Sequence, residues 1–339
     1  MSGYAFPLRD QAKMTRRVLF LSKGEDSAST RYRALQYFPL LRESGFETAH
    51  AAIAGGIGDY LDAFRRAAAA DIVVVLRKTF PLPLLWLLRH LSRKLVFDFD
   101  DAIFCNTDGS ASVTRMRRFT AMAEACDHIL AGNSFLARNA AHFNAAVTVI
   151  PTCVEAGHYS AAAEKPNDTI DLVWIGSRST RKYLIDALPA LRLAATRLPR
   201  LRLKIVADFD LPDAGLQTLA VPWNAETEAR ELASAHIGIA PLSIDDWSRG
   251  KCALKILQYM ASGLPVVSSD VGANAKVVME GKTGFLVMTD TAWCERIVEL
   301  ASDASLRSRF GDEGRRRVRA DYSIEPVFSR LRSVFDALS

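Results

Sequence analysis

Ten short aliphatic runs, set between longer stretches of helical periodicity, restrict the folding of this chain more than any other feature. Five of them occupy 18–22, 71–76, 94–99, 128–132 and 147–150, and the same grammar restarts at 171–176, 203–208, 236–242, 264–269 and 284–287. Runs apolar at nearly every position bury both faces, which is what parallel strands do when helices cover the sheet on either side. Helix patterns fall between the first five, at 31–43, 60–69, 81–91, 114–125 and 134–142. The expected fold class is therefore α/β, with two doubly wound sheets. The segment 151–168 carries Pro151, Gly157, Pro166 and Asn167 without periodicity and reads as the linker between them. Residues 1–155 form the first expected domain and 156–322 the second, while 323–339 is a terminal helix that either caps the second domain or crosses back to the first. Two facing sheets of this kind leave a cleft, and ligands in such folds sit beyond the carboxyl ends of the strands.

A length of 339 residues suits two domains, and 49% apolar with 24% charged residues suits ordinary cores. Cys105, Cys126, Cys153, Cys252 and Cys294 are scattered and form no CxxC pair, so neither a disulfide framework nor a zinc site is expected and a reducing cytoplasm fits. The first 17 residues lack an apolar core of the secretory type, and no apolar run is long enough for a membrane span. A formal charge of +5 is too small to nominate nucleic acid as a partner. Two local clusters are compatible with peripheral contact to an anionic membrane, or with plain solvated helix faces. One is Arg115, Arg117 and Arg118 around Met116 and Phe119; the other is Arg89, His90, Arg93 and Lys94.

The most informative segment is WSRGKCALKILQYMASGLPVVSSDVGANAKVVMEGKTGFLV, residues 247–287. Gly250 precedes a helix expected to start near Lys251, so the free N–H groups of Lys251, Cys252 and Ala253 would face an anion, with Lys251 and Lys255 adding charge. Gly263 suits the end of that helix, and the turn from Gly272 to Asn274 offers a second anion-accepting corner beside it. A helix with a good C-cap packed on a sheet accounts equally well for these turns taken alone.

The segment resembles the signature region of glycosyltransferase family 4, the retaining GT-B enzymes, in the branch where Trp-x-Arg-Gly-Lys-Cys precedes the helix. Further stretches similar to that branch follow in the same order: RYRALQYFPLLRESGFE, VFDFDDAIF, HILAGNSFLA, VIPTCVE and VWIGSRSTRKYL. The resemblance implies a GT-B fold, two facing Rossmann-like domains with a helical C-terminus. It implies transfer of a sugar from a nucleoside-diphosphate sugar, bound by the second domain, to a hydroxyl acceptor bound by the first. No metal or other cofactor is implied. The family's Glu-x7-Glu pair is replaced here by Gly250 and Gln258, so sugar contacts would have to come from neighbours such as Asp245, Asp246 or the 272–274 turn. Gln258 keeps a ribose hydrogen bond, and Gln258→Glu is expected to be tolerated. The family's Arg and Lys toward the diphosphate map to Ser177 and Lys182, with Arg178 adjacent, and cations at a helix start are otherwise unfavourable.

For the nucleobase, Asp208, Phe209 and Trp223 are the candidates, Trp223 being equally suited to packing. On the acceptor side the loop SKGEDSASTRYR offers Gly24 for mobility and Arg31 and Arg33 for an anion or acceptor. Asp100 and Asp101 are expected to orient the acceptor or stabilise charge, and Asp98 to be partly structural rather than half of an Asp-x-Asp metal site. Asn133 or Ser134 caps a helix beside the cleft. Two other readings accompany transfer, a nucleotide-sugar epimerase and a non-catalytic sugar-nucleotide-binding protein. A dehydrogenase is disfavoured because no G-x-G-x-x-G follows the first strand.

Overall fold

The computed structural model describes residues 16–338. The first 15 residues, on which much of the leader reading rests, lie outside the described residues. Two six-stranded sheets account for the core, and every pairing in each is parallel. The first contains β1 (Arg16–Ser22), β2 (Phe46–Ala52), β3 (Ile72–Leu76), β4 (Lys94–Phe99), β5 (His128–Ala131) and β6 (Val147–Val149), in the spatial order 2-1-3-4-5-6. The second contains β7 (Ile170–Ile175), β8 (Leu201–Ala207), β9 (Gln217–Pro222), β10 (Ile237–Ala240), β11 (Val266–Ser269) and β12 (Gly284–Val287), in the order 12-11-10-7-8-9.

Strand order reverses between β1 and β3 in the first sheet and between β7 and β10 in the second. Helix connections leave a parallel sheet with one hand, so each reversal sends neighbouring helices to opposite faces and opens a crevice at the strand ends. In the first domain the helices Ile57–Ala67, Leu82–Leu91, Val113–Ala125 and Ser134–Ala141 cover one face around Phe97, Phe99 and Phe119. The other face is closed by Tyr37 and Leu41 together with the last helix, Ile324–Leu338, whose Phe328 and Phe335 pack on Tyr37, Phe20 and Phe46. The chain thus returns to the first sheet after completing the second, and Arg16 and Asp336 pair at 3.0 Å on the same side.

Two strands escaped the sequence reading. β2 and β9 are edge strands of alternating exposure, carrying Glu47, Thr48, His50 and Gln217, and so lack the continuous apolar run that marks a central strand. The helix expected over 31–43 is broken. It runs as Ala28–Arg33, a 3-10 turn at Leu35–Tyr37 and Phe38–Glu43, because Pro39 belongs in a first helical turn and cannot continue a preceding one. Among the described residues no helix is long and apolar enough to cross a membrane.

Candidate functional site

The two crevices face each other and form one cleft of about 510 Å³. From the first domain it is lined by Arg31 and Tyr32 after β1, Arg77 after β3, and Asp100 and Asp101 after β4. From the second come Ser177 after β7, Asp208 after β8, Trp223 and Glu228 after β9, and the run Lys251 to Ile256 with Gln258 after β10. Each lining loop leaves the carboxyl end of a strand, so the parallel topology itself converges these residues.

Two non-glycine residues among those described have left-handed backbones, and both line the cleft: Arg77 (φ 51) and Ala253 (φ 57). Such a conformation is unfavourable for any residue with a Cβ and persists only where the surroundings impose it. At Ala253 it separates the short helix Asp246–Arg249 from the helix Leu254–Ala261. The second of these helices therefore starts three residues later than the sequence suggests, and the N–H of Lys251 is already donated to Ser248 O at 3.0 Å. The first intrahelical bond runs from Leu257 N–H to Ala253 O, which leaves the N–H groups of Leu254, Lys255 and Ile256 as the first turn aimed at the cleft.

Positive charge dominates this end of the cleft. Lys255 is half-buried with its Nζ 4.0 Å from the Trp174 ring centroid and 3.2 Å from Thr180 Oγ1, and among the described residues no carboxylate pairs with it. Burial, reinforced by Lys251, pushes its pKa down to about 7. Arg31 has no carboxylate partner among the described residues; its guanidinium lies 5.2 Å from the Trp223 ring, and its Nε is buried without an acceptor from those residues. Lys251 instead reaches across the cleft to Asp101 at 2.8 Å. Arg77 pairs with the same Asp101 and lies 3.2 Å from Asp100 Oδ1, an oxygen that is buried without a hydrogen-bond donor. One first-domain carboxylate is thus shared between cations of both domains.

Beside Trp223, the ring that Arg31 faces, lies a buried acid that the sequence does not mark. Glu228 accepts from Tyr159 Oη at 2.5 Å, Gln258 Nε2 at 2.9 Å and Trp223 Nε1 at 2.5 Å. Gln258 also donates to Tyr159 Oη at 2.9 Å and Tyr32 Oη at 3.3 Å. The amide where the resembled family has a carboxylate is therefore a donor to a carboxylate supplied from another helix. This corrects the expectation for Gln258→Glu, which would set two acids at hydrogen-bond distance and force one to be protonated.

Several residues expected at the site lie elsewhere. Arg33 is buried, bonded through Nε and Nη2 to both oxygens of Asp98 at 2.7 Å and through Nη1 to Ile150 O, so neither its charge nor that of Asp98 is available to a ligand. Lys182 leaves its helix start to bond Thr107 O of the first domain at 2.6 Å, and Arg178 is an exposed partner of Asp208. A helix start accommodates these cations because each finds an acceptor of its own. Gly250 and Gly272 lie behind the cleft wall: a Cβ on Gly250 would stand 2.5 Å from Ala102 N, and one on Gly272, at φ 58, would stand 2.9 Å from Arg249 O. Asn133 caps its helix through Leu136 N–H and gives Nδ2 to the carbonyls of Arg249, Gly250 and Lys251. Ser134 bonds Lys276. These two join the domains rather than line the cleft. Ser177, Cys252, Lys255, Gln258, Asn274 and Trp223 do line it, with Asp100, Asp101, Lys251 and Arg31. Asn274 is held from behind by donation to Ser268 Oγ at 2.9 Å.

Residues 169–303, which include the second sheet, match the family model described as Glycosyl transferases group 1. Among curated proteins, spore coat protein SA of Bacillus subtilis (strain 168) is 34% identical over 82 residues, 23% of this chain and 22% of that protein. The capsular polysaccharide biosynthesis glycosyltransferase CapM of Staphylococcus aureus is 32% identical over 82 residues, 24% of this chain and 22% of that protein. The matches thus span about a fifth of these relatives' length. Solved structures resemble nearly the whole chain. Sucrose-phosphate synthase from Thermosynechococcus elongatus superposes with a TM-score of 0.74 at 15% identity, over 95% of this chain and 99% of the other. Anabaena HepE in complex with UDP and glucose gives 0.70 at 14%, over 95% and 100%. The architecture is the GT-B fold.

Proposed function

We propose that this protein is a retaining glycosyltransferase that binds a nucleoside-diphosphate sugar along the second-domain wall of the cleft and transfers the sugar to a hydroxyl acceptor held by the first domain. The observation that carries this reading is the pair of cations that face one cleft without a carboxylate partner among the described residues, Lys255 in the first turn of its helix and Arg31 on a helix of the first domain. Burial disfavours such a charge until an anion completes it, and a diphosphate has the charge and the acceptor oxygens to do so. The Glycosyl transferases group 1 match over the same domain supports the assignment, as does HepE, which shares the fold and is described with UDP and glucose.

On this reading the diphosphate lies against Lys255, Lys251 and the N–H groups of the helix start, with Arg31 closing over it. The nucleoside extends toward Trp223, and the Glu228–Gln258–Tyr159 cluster recognises ribose hydroxyls, so Glu228 provides the carboxylate that position 258 lacks. Transfer breaks the bond from the anomeric carbon to the diphosphate oxygen and forms the bond to the acceptor oxygen on the same face. The acceptor proton passes to the departing phosphate oxygen, so no protein base is consumed. Charge growing on that oxygen is offset by Lys255, Lys251 and Arg77, contributions on the order of 3 kcal/mol each. Asp101, held by Arg77 and Lys251, and Asp100 face the acceptor hydroxyl. The cation set supports chemistry without a divalent ion, and Asp98 is engaged by Arg33. The five cysteines are all free thiols, which supports a cytoplasmic setting. The test is incubation with a panel of nucleotide sugars and hydroxyl acceptors, following nucleoside diphosphate release and the anomeric configuration by NMR. Transfer with retention is expected. Bound donor without transfer would leave a sugar-nucleotide-binding protein, and an altered free nucleotide sugar would point to an epimerase.

A further inference from the structure

The outer helices of the first domain carry apolar side chains into solvent, mainly over their first two turns. The helices Ile57–Ala67, Leu82–Leu91 and Val113–Ala125 pack side by side on one face of the sheet. Each follows a parallel strand, so their first turns lie together at the carboxyl edge, the edge that also holds the cleft. Ile57 and Leu61, Leu82 and Trp86, and Val113 and Met116 belong to these turns; Ile57 is 82% exposed, Trp86 66% and Val113 86%. A groove of about 710 Å³, lined by Leu82, Phe104, Val113 and Met116 and by Asp246 of the second domain, opens among them.

Charge separates the two basic clusters. Arg89 and Lys94 pair with Asp127 and Arg93 with Asp71 at the far end of the helix layer, so the 89–94 cluster is neutralised within the protein. Arg115, Arg117 and Arg118 are exposed, sit in the first two turns of their helix among the apolar side chains, and have no ion pair among the described residues. Arg115 lies in the first turn, where a cation opposes the helix dipole and an external anion relieves it. An apolar, Trp-bearing rim with unpaired arginines matches the chemistry of an anionic bilayer surface, where aromatic and aliphatic groups enter the interface and arginines meet phosphate.

We propose that this end of the first domain docks on an anionic lipid bilayer, with the groove receiving an apolar chain. The cleft mouth then faces the membrane, so the hydroxyl acceptor is borne by a lipid. Identification of the bound lipid as acceptor rests on the transferase reading; docking itself does not. The test is co-sedimentation of the full chain with vesicles of phosphatidylcholine and of phosphatidylcholine mixed with phosphatidylglycerol. Binding is expected only to the anionic vesicles and to weaken with added salt. Arg115→Gln combined with Arg117→Gln and Arg118→Gln should lower the partition coefficient about a hundredfold, at roughly fivefold per arginine. Trp86→Ser with Val113→Ser should lower it at least tenfold. None of these five side chains lines the cleft, so nucleotide-sugar affinity should stay unchanged in both variants. Absence of binding to anionic vesicles, or variants that bind like the parent, would overturn the proposal. So would sedimentation showing a dimer that the same substitutions dissociate, because the patch would then be a subunit interface. Loss of nucleotide-sugar binding in a preparation that still binds vesicles would count against the transferase reading alone.

Discussion

Replacing Lys255 with methionine should make the protein more stable and its donor binding worse. The ammonium is held at a pKa of about 7, down from 10.5, chiefly by burial. That drop corresponds to a ceiling of about 5 kcal/mol against the charged form relative to the unfolded chain. Against it stand the contact with the Trp174 ring and the hydrogen bond to Thr180 Oγ1, together worth about 2–3 kcal/mol, so Lys255→Met should gain at most about 2–3 kcal/mol and raise Tm by a few degrees at pH 7. Because the folded pKa is lowered, the unfolded chain holds more protons between pH 7 and 10.5, and this group's contribution makes the parent more stable as pH rises through that window. Methionine removes that slope. A bound diphosphate restores the proton, so donor affinity of the parent should fall by up to about thirtyfold from pH 6 to 8.5. In Lys255→Met it should be lower by about 30- to 100-fold and nearly independent of pH over the same range. Differential scanning calorimetry and isothermal titration with a nucleotide sugar read both effects. A lowered Tm would refute the burial argument, and an unchanged donor affinity would refute the site.

His236 is buried, accepts from Asp171 N–H through Nδ1 at 3.0 Å, and has its pKa lowered to about 4 by burial and nearby cations, so this contribution to stability is lost as pH falls from 6.5 toward 4. His236→Asn keeps an acceptor without titrating and should reduce the loss of unfolding free energy between pH 6.5 and 4 by about 3 kcal/mol, read by urea denaturation. Gln258→Glu should be destabilised at pH 7 and partly recover in mild acid as the new pair shares a proton, whereas Gln258→Leu, which leaves Glu228 short of a donor, should cost about 1–3 kcal/mol in urea denaturation at either pH. A Cβ on Gly132 would overlap Cys252 Sγ and stand 3.0 Å from Asp100 Cα, so Gly132→Ala should spread the domains and lower transferase activity at least tenfold; small-angle scattering would report the spread. Transfer should continue in excess chelator, and complete loss restored by magnesium would move Asp98 and Asp100 to a metal role.

The central strands were legible because burial on both faces writes itself as an uninterrupted aliphatic run, IVVVL in β3 or IDLVWI in β7. The edge strands FETAHAA and QTLAVP carry no such run, since half of each faces solvent. At the site, Lys251, Lys255 and Gln258 could be placed because they share one helix and the loop before it. Lys182 and Arg33 misled, because a charge near a helix end gives no direction in sequence: Lys182, in a first turn, reaches Thr107 in the other domain, and Arg33, the last residue of Ala28–Arg33, turns inward to Asp98. Arg77 was invisible for a different reason. A single arginine after a strand is common, and only its left-handed backbone and its two carboxylate partners mark it. Glu228 lies 30 residues from Gln258 in sequence, so a contact that depends on the path after β9 left no local pattern to read.

Lys255 and Arg31 matter to function only if they hold a diphosphate. Isothermal titration of the parent, Arg31→Ala and Lys255→Ala with UDP-glucose and other nucleotide sugars addresses this directly. One saturable site per chain is expected for at least one donor, with affinity reduced by tenfold or more in each variant, about the loss of one charge-assisted contact. Equal affinity in all three proteins, or no binding by the folded parent to any nucleotide sugar, would contradict it.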